Sequence, residues 1–167
     1  FGTGIVVDGA GFLLNNEMDD FSSKPGVPNA YGLVGNTANA IEPGKRMLSS
    51  MSPTIVETPA GELFLVVGSP GGSTIITTTA QIIMNVVDFG MSIEDAVETP
   101  RFHHQWLPDM IQMEELGFYS ETIQALESRG HSIKYRTSIG EANCIQMEEG
   151  VIYGSADSRR NSSAVGY

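Results

Sequence analysis

The chain has 167 residues, 41% of them hydrophobic, which is ordinary for one globular domain with a core of its own. Acidic residues outnumber basic ones by 20 to 9, for a net charge of −11. This charge opposes binding to nucleic acid or to an anionic membrane, because both need basic patches. No apolar run approaches the roughly 18 residues of a membrane-spanning helix, so neither a membrane span nor a nucleic-acid partner is predicted.

The first fifty residues are predicted to be mostly turns and loops. Two short apolar runs, 5–7 and 12–14, flank an Asp-Gly turn and predict a hairpin. Residues 22–46 hold three prolines and four glycines without apolar periodicity, which predicts a long loop of a kind that is usually functional or disordered. The chain opens at Phe1, without methionine and close to a strand-like run, so we expect it to be a piece of a longer chain.

Regular elements are predicted from residue 52 onward. In chain order they are strands at 53–56 and 63–67, helices at 73–88 and 93–98, a strand at 110–114, a helix at 120–129, and strands at 132–136, 143–147 and 151–153. The helix at 73–88 has too many apolar positions for a narrow stripe, so we expect it to be buried on much of its surface. Strands and helices in pairs predict a layered α+β fold, with 1–167 as a single domain.

The glycine turn at 68–74 (GSPGGST) lies between a predicted strand and a predicted helix. Paired glycines let a backbone approach a ligand closely, and the first N–H groups of a helix lack internal partners. Such a turn binds anions or stabilises negative charge in a transition state. An ordinary strand-to-helix turn with Ser73 as its N-cap explains the pattern equally well. The turn lacks the Walker A lysine and the Rossmann spacing, which argues against nucleotide binding.

A cluster of carboxylates and a pair of hydroxyls are the other candidate binding groups. Glu17 and Asp20 are three residues apart, so they share a face if the chain turns there, and could hold a substrate ammonium. A calcium site or a solvated acidic loop are the alternatives, although EF-hand spacing is missing. Ser49 and Ser50 can donate to a carboxylate or serve as turn residues, and no nucleophile elbow surrounds them.

The histidines and the cysteine are predicted to be structural. His103 and His104 are adjacent in a strand-like run, so they point to opposite faces and would not chelate one metal. Cys144 lies in an apolar run that favours a buried strand over a catalytic thiol, and a single cysteine forms no internal disulfide. No metal and no cofactor are predicted.

Five sequence blocks together resemble the γ-glutamyltransferase (γ-glutamyltranspeptidase) family. They are LLNNEMDDF at 13–21, PGVPNAYGLVG at 25–35, NAIEPGKRMLSSMSPTIV at 39–56, GSPGGSTIITT at 68–78 and PRFHHQWLPD at 100–109. The resemblance implies an N-terminal-nucleophile hydrolase with a four-layer αββα sandwich, shared between a large and a small subunit. This chain would be part of that sandwich and most of the small subunit.

The resemblance implies roles for six residues and one loop. Glu17 and Asp20 match the positions that hold the substrate's α-ammonium, and Ser49 and Ser50 match those that bind its α-carboxylate. Gly71 and Gly72 match the pair whose N–H groups form the oxyanion hole. Residues 25–36, within the long loop at 22–46, match the lid loop over the pocket.

The chain departs from the family pattern in several places. The nucleophilic threonine, which the family exposes by cutting its own precursor, matches a position upstream of Phe1 and is absent from this chain. An arginine that the large subunit supplies to the substrate carboxylate is also absent. Met47 and Ser158 stand where the family has proline, and Thr74 where it has arginine.

The implied activity is acyl transfer. The γ-glutamyl amide bond of glutathione or a related compound is cleaved, and the γ-glutamyl group passes to water or to an amino acid or peptide amine. Poly-γ-glutamate or acylated β-lactams are alternative substrates; a non-catalytic binding remnant or a truncated gene product is the alternative of another class. The resemblance also implies the large subunit as partner and a periplasmic or extracellular location. Alone, the chain is expected to be inactive and to self-associate through exposed sheet edges.

Overall fold

The structure, a computed structural model, describes residues 2–166. Phe1 and Tyr167 lie outside the described residues, and so does the prediction that the chain begins at Phe1 close to a strand-like run. By their internal contacts the residues fall into two compact units, Phe1–Ser49 and Ser50–Tyr167. The single domain predicted over 1–167 stays a prediction, because compact units of this kind need not be separate folding domains.

The first unit is irregular, as its sequence predicts. An antiparallel bridge joins Val6 to Leu13, which confirms the hairpin. Short 3-10 helices form at Glu17–Asp20 and Thr37–Asn39. Within 22–46, which the structure describes completely, there is no α-helix and no β-strand beyond isolated bridges, so the long loop is confirmed.

The second unit carries the regular elements. Among its described residues the strands are β1 (Thr54–Glu57), β2 (Leu63–Gly68), β3 (Phe102–His103), β4 (Ile111–Glu114), β5 (Ile133–Arg136), β6 (Asn143–Glu148) and β7 (Val151–Ala156); the helices are α1 (Thr74–Val87), α2 (Ile93–Glu98) and α3 (Ser120–Ser128). All the helices and strands predicted beyond residue 52 are present, with boundaries that differ by a few residues. Short β3 is the addition, and it contains one of the two adjacent histidines.

Two sheets are formed. The larger has the order β1-β2-β6-β7 and is antiparallel throughout. The smaller has the order β3-β4-β5, with β4 and β5 parallel. Helices α1 and α2 pack on the larger sheet, and their shared core is fully or nearly fully buried; it contains Leu65, Val67, Ile82, Val86, Val97, Ala142 and Cys144. The α+β class is confirmed.

Helix α1 buries one side and exposes the other. Its buried positions follow helical spacing and are Thr74, Ile75, Thr78, Thr79, Ile82 and Val86. Ile76, Met84 and Val87 on the opposite side are about half exposed, at 54%, 48% and 53%. Apart from these three residues and Ala80, every position of α1 is buried or half-buried, so the prediction of burial over much of its surface is confirmed.

Among the helices within residues 2–166, none combines the length and the apolar character needed to cross a membrane.

Candidate functional site

The turn between β2 and α1 has a backbone shape that depends on glycine. Gly71 has a φ of 144° and Gly72 a φ of 57°, values that L-residues rarely adopt. The Gly71 carbonyl accepts the Thr74 N–H at 3.2 Å, and the Gly72 carbonyl accepts the Ile75 N–H at 3.2 Å. Both carbonyls are thus used by the start of the helix. Among residues 2–166, neither glycine N–H has an acceptor. Two amide donors at the positive end of α1 are therefore available to an anion.

Ser73 does not cap α1, so that part of the ordinary-turn interpretation is wrong. Its backbone is helical (φ −60°, ψ −24°), and its side chain accepts no capping hydrogen bond. An N-cap side chain needs extended backbone to reach the amides that follow it. Thr74 instead donates its hydroxyl to the Gly71 carbonyl at 3.0 Å, while staying 4% exposed. Thr74 thus holds the shape of the turn.

The carboxylates of Glu17 and Asp20 lie on one 3-10 turn. Residues three apart lie one above the other in such a helix, so the chain does turn as the shared face requires. Asp20 is half-buried, and its pKa is raised by burial and then by the negative charges of Glu17 and Asp19. A bound cation would relieve this repulsion. Over residues 2–166, no three His, Cys, Asp or Glu side chains converge to form a metal site.

Asp19, the carboxylate between them, is engaged with the loop at 25–36. Its Oδ2 accepts the Ala30 N–H at 3.0 Å, and its backbone carbonyl accepts Nδ2 of Asn29 at 3.0 Å. Oδ1 of Asn29 accepts the Leu33 N–H at 2.9 Å, which shapes the loop. The sequence did not predict this role for Asp19. The Asn-x-x-Gly turn at 29–32 is the local pattern that indicates an ordered loop there.

The serine pair follows a segment that is fixed to the acidic turn. Asn39 donates from Nδ2 to the Asp20 carbonyl at 2.7 Å and accepts the Leu48 N–H at 3.0 Å. Ser49, the last residue of the first unit, is exposed; Ser50, the first of the second unit, is half-buried. Within the first unit, the structure therefore connects the acidic turn to the segment that leads into the hydroxyls.

The whole chain, residues 1–167, matches the family model described as Gamma-glutamyltranspeptidase. The chain belongs to the γ-glutamyltranspeptidase family. It is 52% identical over 160 residues to the glutathione hydrolase proenzyme of Escherichia coli (strain K12), an alignment that covers 95% of this chain and 27% of that protein. The chain thus spans less than a third of the length of this curated relative.

Solved structures give the same fold. The T380A mutant of Helicobacter pylori γ-glutamyltranspeptidase superposes with a TM-score of 0.91 at 55% identity, covering 95% of this chain and 87% of that one. Cephalosporin acylase from Bacillus halodurans superposes at 0.80 with 28% identity, covering 99% and 30%. The predicted fold, part of an αββα sandwich of the N-terminal-nucleophile hydrolase type, is confirmed.

In this γ-glutamyltranspeptidase-family chain the histidines are structural, as predicted. His103 is buried, and its ring nitrogens lie 2.8 Å from Thr77 Oγ1 and 2.9 Å from Gln105 Oε1. Burial lowers its pKa, so it is neutral near pH 7. His104 is directed elsewhere and pairs with Asp109 at 3.1 Å.

Cys144 is also structural. It is 4% exposed in the core, and burial raises the pKa of its thiol to about 11. A thiol with that pKa is almost entirely protonated at neutral pH and is a poor nucleophile.

A buried network of four charges was not predicted. Arg101 donates to Asp157 at 2.7 Å, and Arg159 donates to Asp157 at 3.0 Å and to Glu114 at 2.6 Å. Arg101 and Asp157 are 1% and 0% exposed. Arg101 and Asp157 are 56 residues apart in sequence and Arg159 and Glu114 are 45 apart, so no local pattern reveals these two pairings; only Arg159 and Asp157 are close, two residues apart. The network fixes the segment at 157–159 against α2, β4 and the 139–142 loop.

Proposed function

We propose that the protein to which this chain belongs is a γ-glutamyl acyl-transfer enzyme. It would cleave the γ-glutamyl amide bond of glutathione or a related compound and pass the γ-glutamyl group to water or to an amine. The observation that carries this proposal is the pair of available N–H groups at Gly71 and Gly72. They are the donors that a tetrahedral acyl-transfer intermediate needs for its negative oxygen.

The acidic turn supplies the contact to the substrate's amino group. Glu17 and Asp20 share one side of a 3-10 turn, and the pKa of Asp20 is raised by burial first and then by the negative charges of Glu17 and Asp19. A primary ammonium neutralises both carboxylates through charge-assisted hydrogen bonds. This favours γ-glutamyl substrates, whose head group keeps a free α-ammonium, over acylated β-lactams.

The serine hydroxyls supply the contact to the α-carboxylate. Ser49 and Ser50 follow a segment that is held by Asn39, and a hydroxyl donates readily to a carboxylate. Binding both charged ends of the glutamyl group would orient its γ-carbonyl for attack. The loop at 25–36 would act as the lid over this head group.

The nucleophile is assigned to an N-terminal threonine that these 167 residues do not include. Its own amine would serve as the base, and the threonine would be released when the precursor cuts itself. Within the described residues the one thiol, Cys144, is buried and protonated, so it does not compete for this role. The large subunit of the same precursor would complete the enzyme. A periplasmic or extracellular location is proposed from the family resemblance.

Turnover of a γ-glutamyl anilide by the full-length, self-cleaved protein tests the activity. Gly71→Ala places a Cβ 2.5 Å from Thr74 Oγ1 at a φ that alanine resists, so the turn must change shape. We expect kcat to fall about 10²- to 10³-fold, the usual effect of losing one oxyanion donor. Gly61→Ala is the matched control, because Gly61 also has positive φ but meets nothing within 4 Å. No turnover by correctly cleaved wild-type protein refutes the proposal.

The head-group assignment has its own test. Asp20→Asn removes one charged hydrogen bond, worth about 1.5–3 kcal/mol, and should raise KM for the anilide roughly 10- to 100-fold. The exposed Asp8→Asn serves as the control and should leave KM unchanged. Equal activity of the wild type on a substrate without the α-ammonium would overturn the assignment. Heat of glutamate binding without any turnover would instead support the non-catalytic binding role.

A further inference from the structure

We propose that Ser69 is a positioning residue for the two glycine amides, because its hydroxyl fastens the turn at 68–74 to the loop at 139–142. This inference rests on the proposed function, since it concerns the turn that would hold the oxyanion. Ser69 touches neither substrate nor nucleophile in this assignment; it acts through the backbone of Gly71 and Gly72.

The Ser69 hydroxyl makes two hydrogen bonds at once. It accepts the backbone N–H of Glu141 at 3.0 Å, across 72 residues of sequence. It donates to the carbonyl of Pro70, the next residue in the turn, at 2.7 Å. One side chain therefore joins a distant loop to the peptide unit that directly precedes Gly71.

The loop packs closely enough against the turn to demand glycine at position 140. Gly140 has a φ of 73°, and a Cβ built on it would lie 2.9 Å from Ser69 Oγ and 2.7 Å from Thr78 Oγ1. A Cβ built on Gly71 would in turn lie 3.7 Å from the Gly140 Cα. A methyl group on Gly71 would thus reach van der Waals contact with the backbone of the loop.

The loop is itself a fixed point. The Ile139 N–H donates to buried Glu114 at 2.8 Å, and the Ile139 carbonyl accepts buried Arg101 at 2.9 Å. The Ala142 N–H donates to buried Asp157 at 2.8 Å. The charge network therefore holds both ends of the loop, and Ser69 transfers that rigidity to the glycine turn.

Removing the hydroxyl leaves two backbone groups without partners. In Ser69→Ala the Glu141 N–H and the Pro70 carbonyl both lose a hydrogen bond, so the turn can move away from the loop. Oxyanion donors work only at about 2.7–3.1 Å from the developing charge, so a small displacement weakens them. Because that contact forms in the transition state, its loss lowers kcat and leaves KM nearly unchanged.

Steady-state kinetics of the full-length, self-cleaved protein on a γ-glutamyl anilide provide the first test. We expect Ser69→Ala to lower kcat about 10- to 100-fold with KM within about threefold of wild type. Ser69→Thr, which keeps the hydroxyl, should recover most of kcat. Ser92→Ala is the matched control: it also removes a serine bond to a backbone N–H, that of Asp95 at the start of α2, far along the chain from the turn. Its kcat should equal that of wild type.

Hydrogen–deuterium exchange provides a second test that needs no activity. In Ser69→Ala three amides should exchange faster than in wild type: that of Glu141, which loses its acceptor, and those of Thr74 and Ile75, which donate to the Gly71 and Gly72 carbonyls. In Ser92→Ala they should not. Gly140→Ala, which forces the loop away from Ser69, should give the same local increase. Unchanged exchange in both Ser69→Ala and Gly140→Ala would overturn the inference. A kcat for Ser69→Ala equal to that of Ser92→Ala would overturn it as well. A wild type without turnover refutes the proposed function alone, because exchange still decides the role of Ser69.

Discussion

Replacing Asp157 by asparagine should destabilise the protein strongly, although the two side chains have nearly the same size. Asp157 is 0% exposed, and each of its oxygens accepts two donors. Oδ2 accepts Arg101 Nη1 and the Ala142 N–H; Oδ1 accepts Arg159 Nη1 and the Arg159 N–H. Whichever oxygen becomes an amide NH₂, it faces two donors. Breaking a buried ion pair by removing one charge costs about 3–5 kcal/mol.

Urea unfolding and thermal melting measure this cost. For a chain of this length, 3–5 kcal/mol corresponds to a decrease in Tm of roughly 6–20 °C. The matched control is Glu42→Gln, another acid-to-amide change, in the exposed pair with Lys45. An exposed pair contributes about 1 kcal/mol or less, so the control should change little. If Asp157→Asn were as mild as Glu42→Gln, the network would not stabilise the fold and the reasoning would be refuted.

Three more predictions concern pH, the loop and the thiol. Burial raises the pKa of Glu114 and of Asp157, but hydrogen bonds from arginines and backbone amides outweigh burial and lower both pKa values. The stability that these two carboxylates contribute is therefore complete above about pH 5 and is lost as the pH falls through their lowered pKa values. Acid unfolding of wild type and of Asp157→Asn would measure this loss. Asp19→Asn weakens acceptance of the Ala30 N–H, so exchange of the 25–36 amides should rise; no rise would show that Asp19 does not hold the loop. In the folded protein, Cys144 should react with a maleimide at pH 7.5 far more slowly than in protein unfolded by urea. A pKa of about 11 leaves a thiolate fraction roughly 300-fold smaller than that of an ordinary cysteine. Equal rates in the two states would contradict the burial of Cys144.

The prediction that the chain self-associates through exposed sheet edges can also be measured. β1 and β7 are the outer strands of the larger sheet, and Ile55 and Ile152 on them are 67% and 65% exposed. Sedimentation of the isolated chain over a range of concentrations would decide it, and a clean monomer at high concentration would contradict it.

The sequence by itself determined the family, the order of the longer elements and the glycine turn between β2 and α1, whose oxyanion role stays a proposal. These features are encoded locally. Alternating or helical apolar spacing sets each strand or helix within a few residues, and GSPGGST must change from strand to helix within one turn. The acidic turn was also predictable, because Glu17 and Asp20 are close in sequence. Their roles toward a substrate stay predictions.

Only the tertiary structure decided what supports that turn. The local sequence predicted Ser73 as the N-cap, but its backbone is helical and its side chain makes no capping bond. The hydroxyl that stabilises the turn is that of Thr74, which donates to the Gly71 carbonyl. The bond from Ser69 to Glu141 spans 72 residues and that from Arg101 to Asp157 spans 56. No periodicity or spacing specifies such contacts, because they form only when separate elements pack together. The physical reason is that hydrogen bonds depend on distances of a few ångströms, whereas the sequence sets only which groups are present to make them.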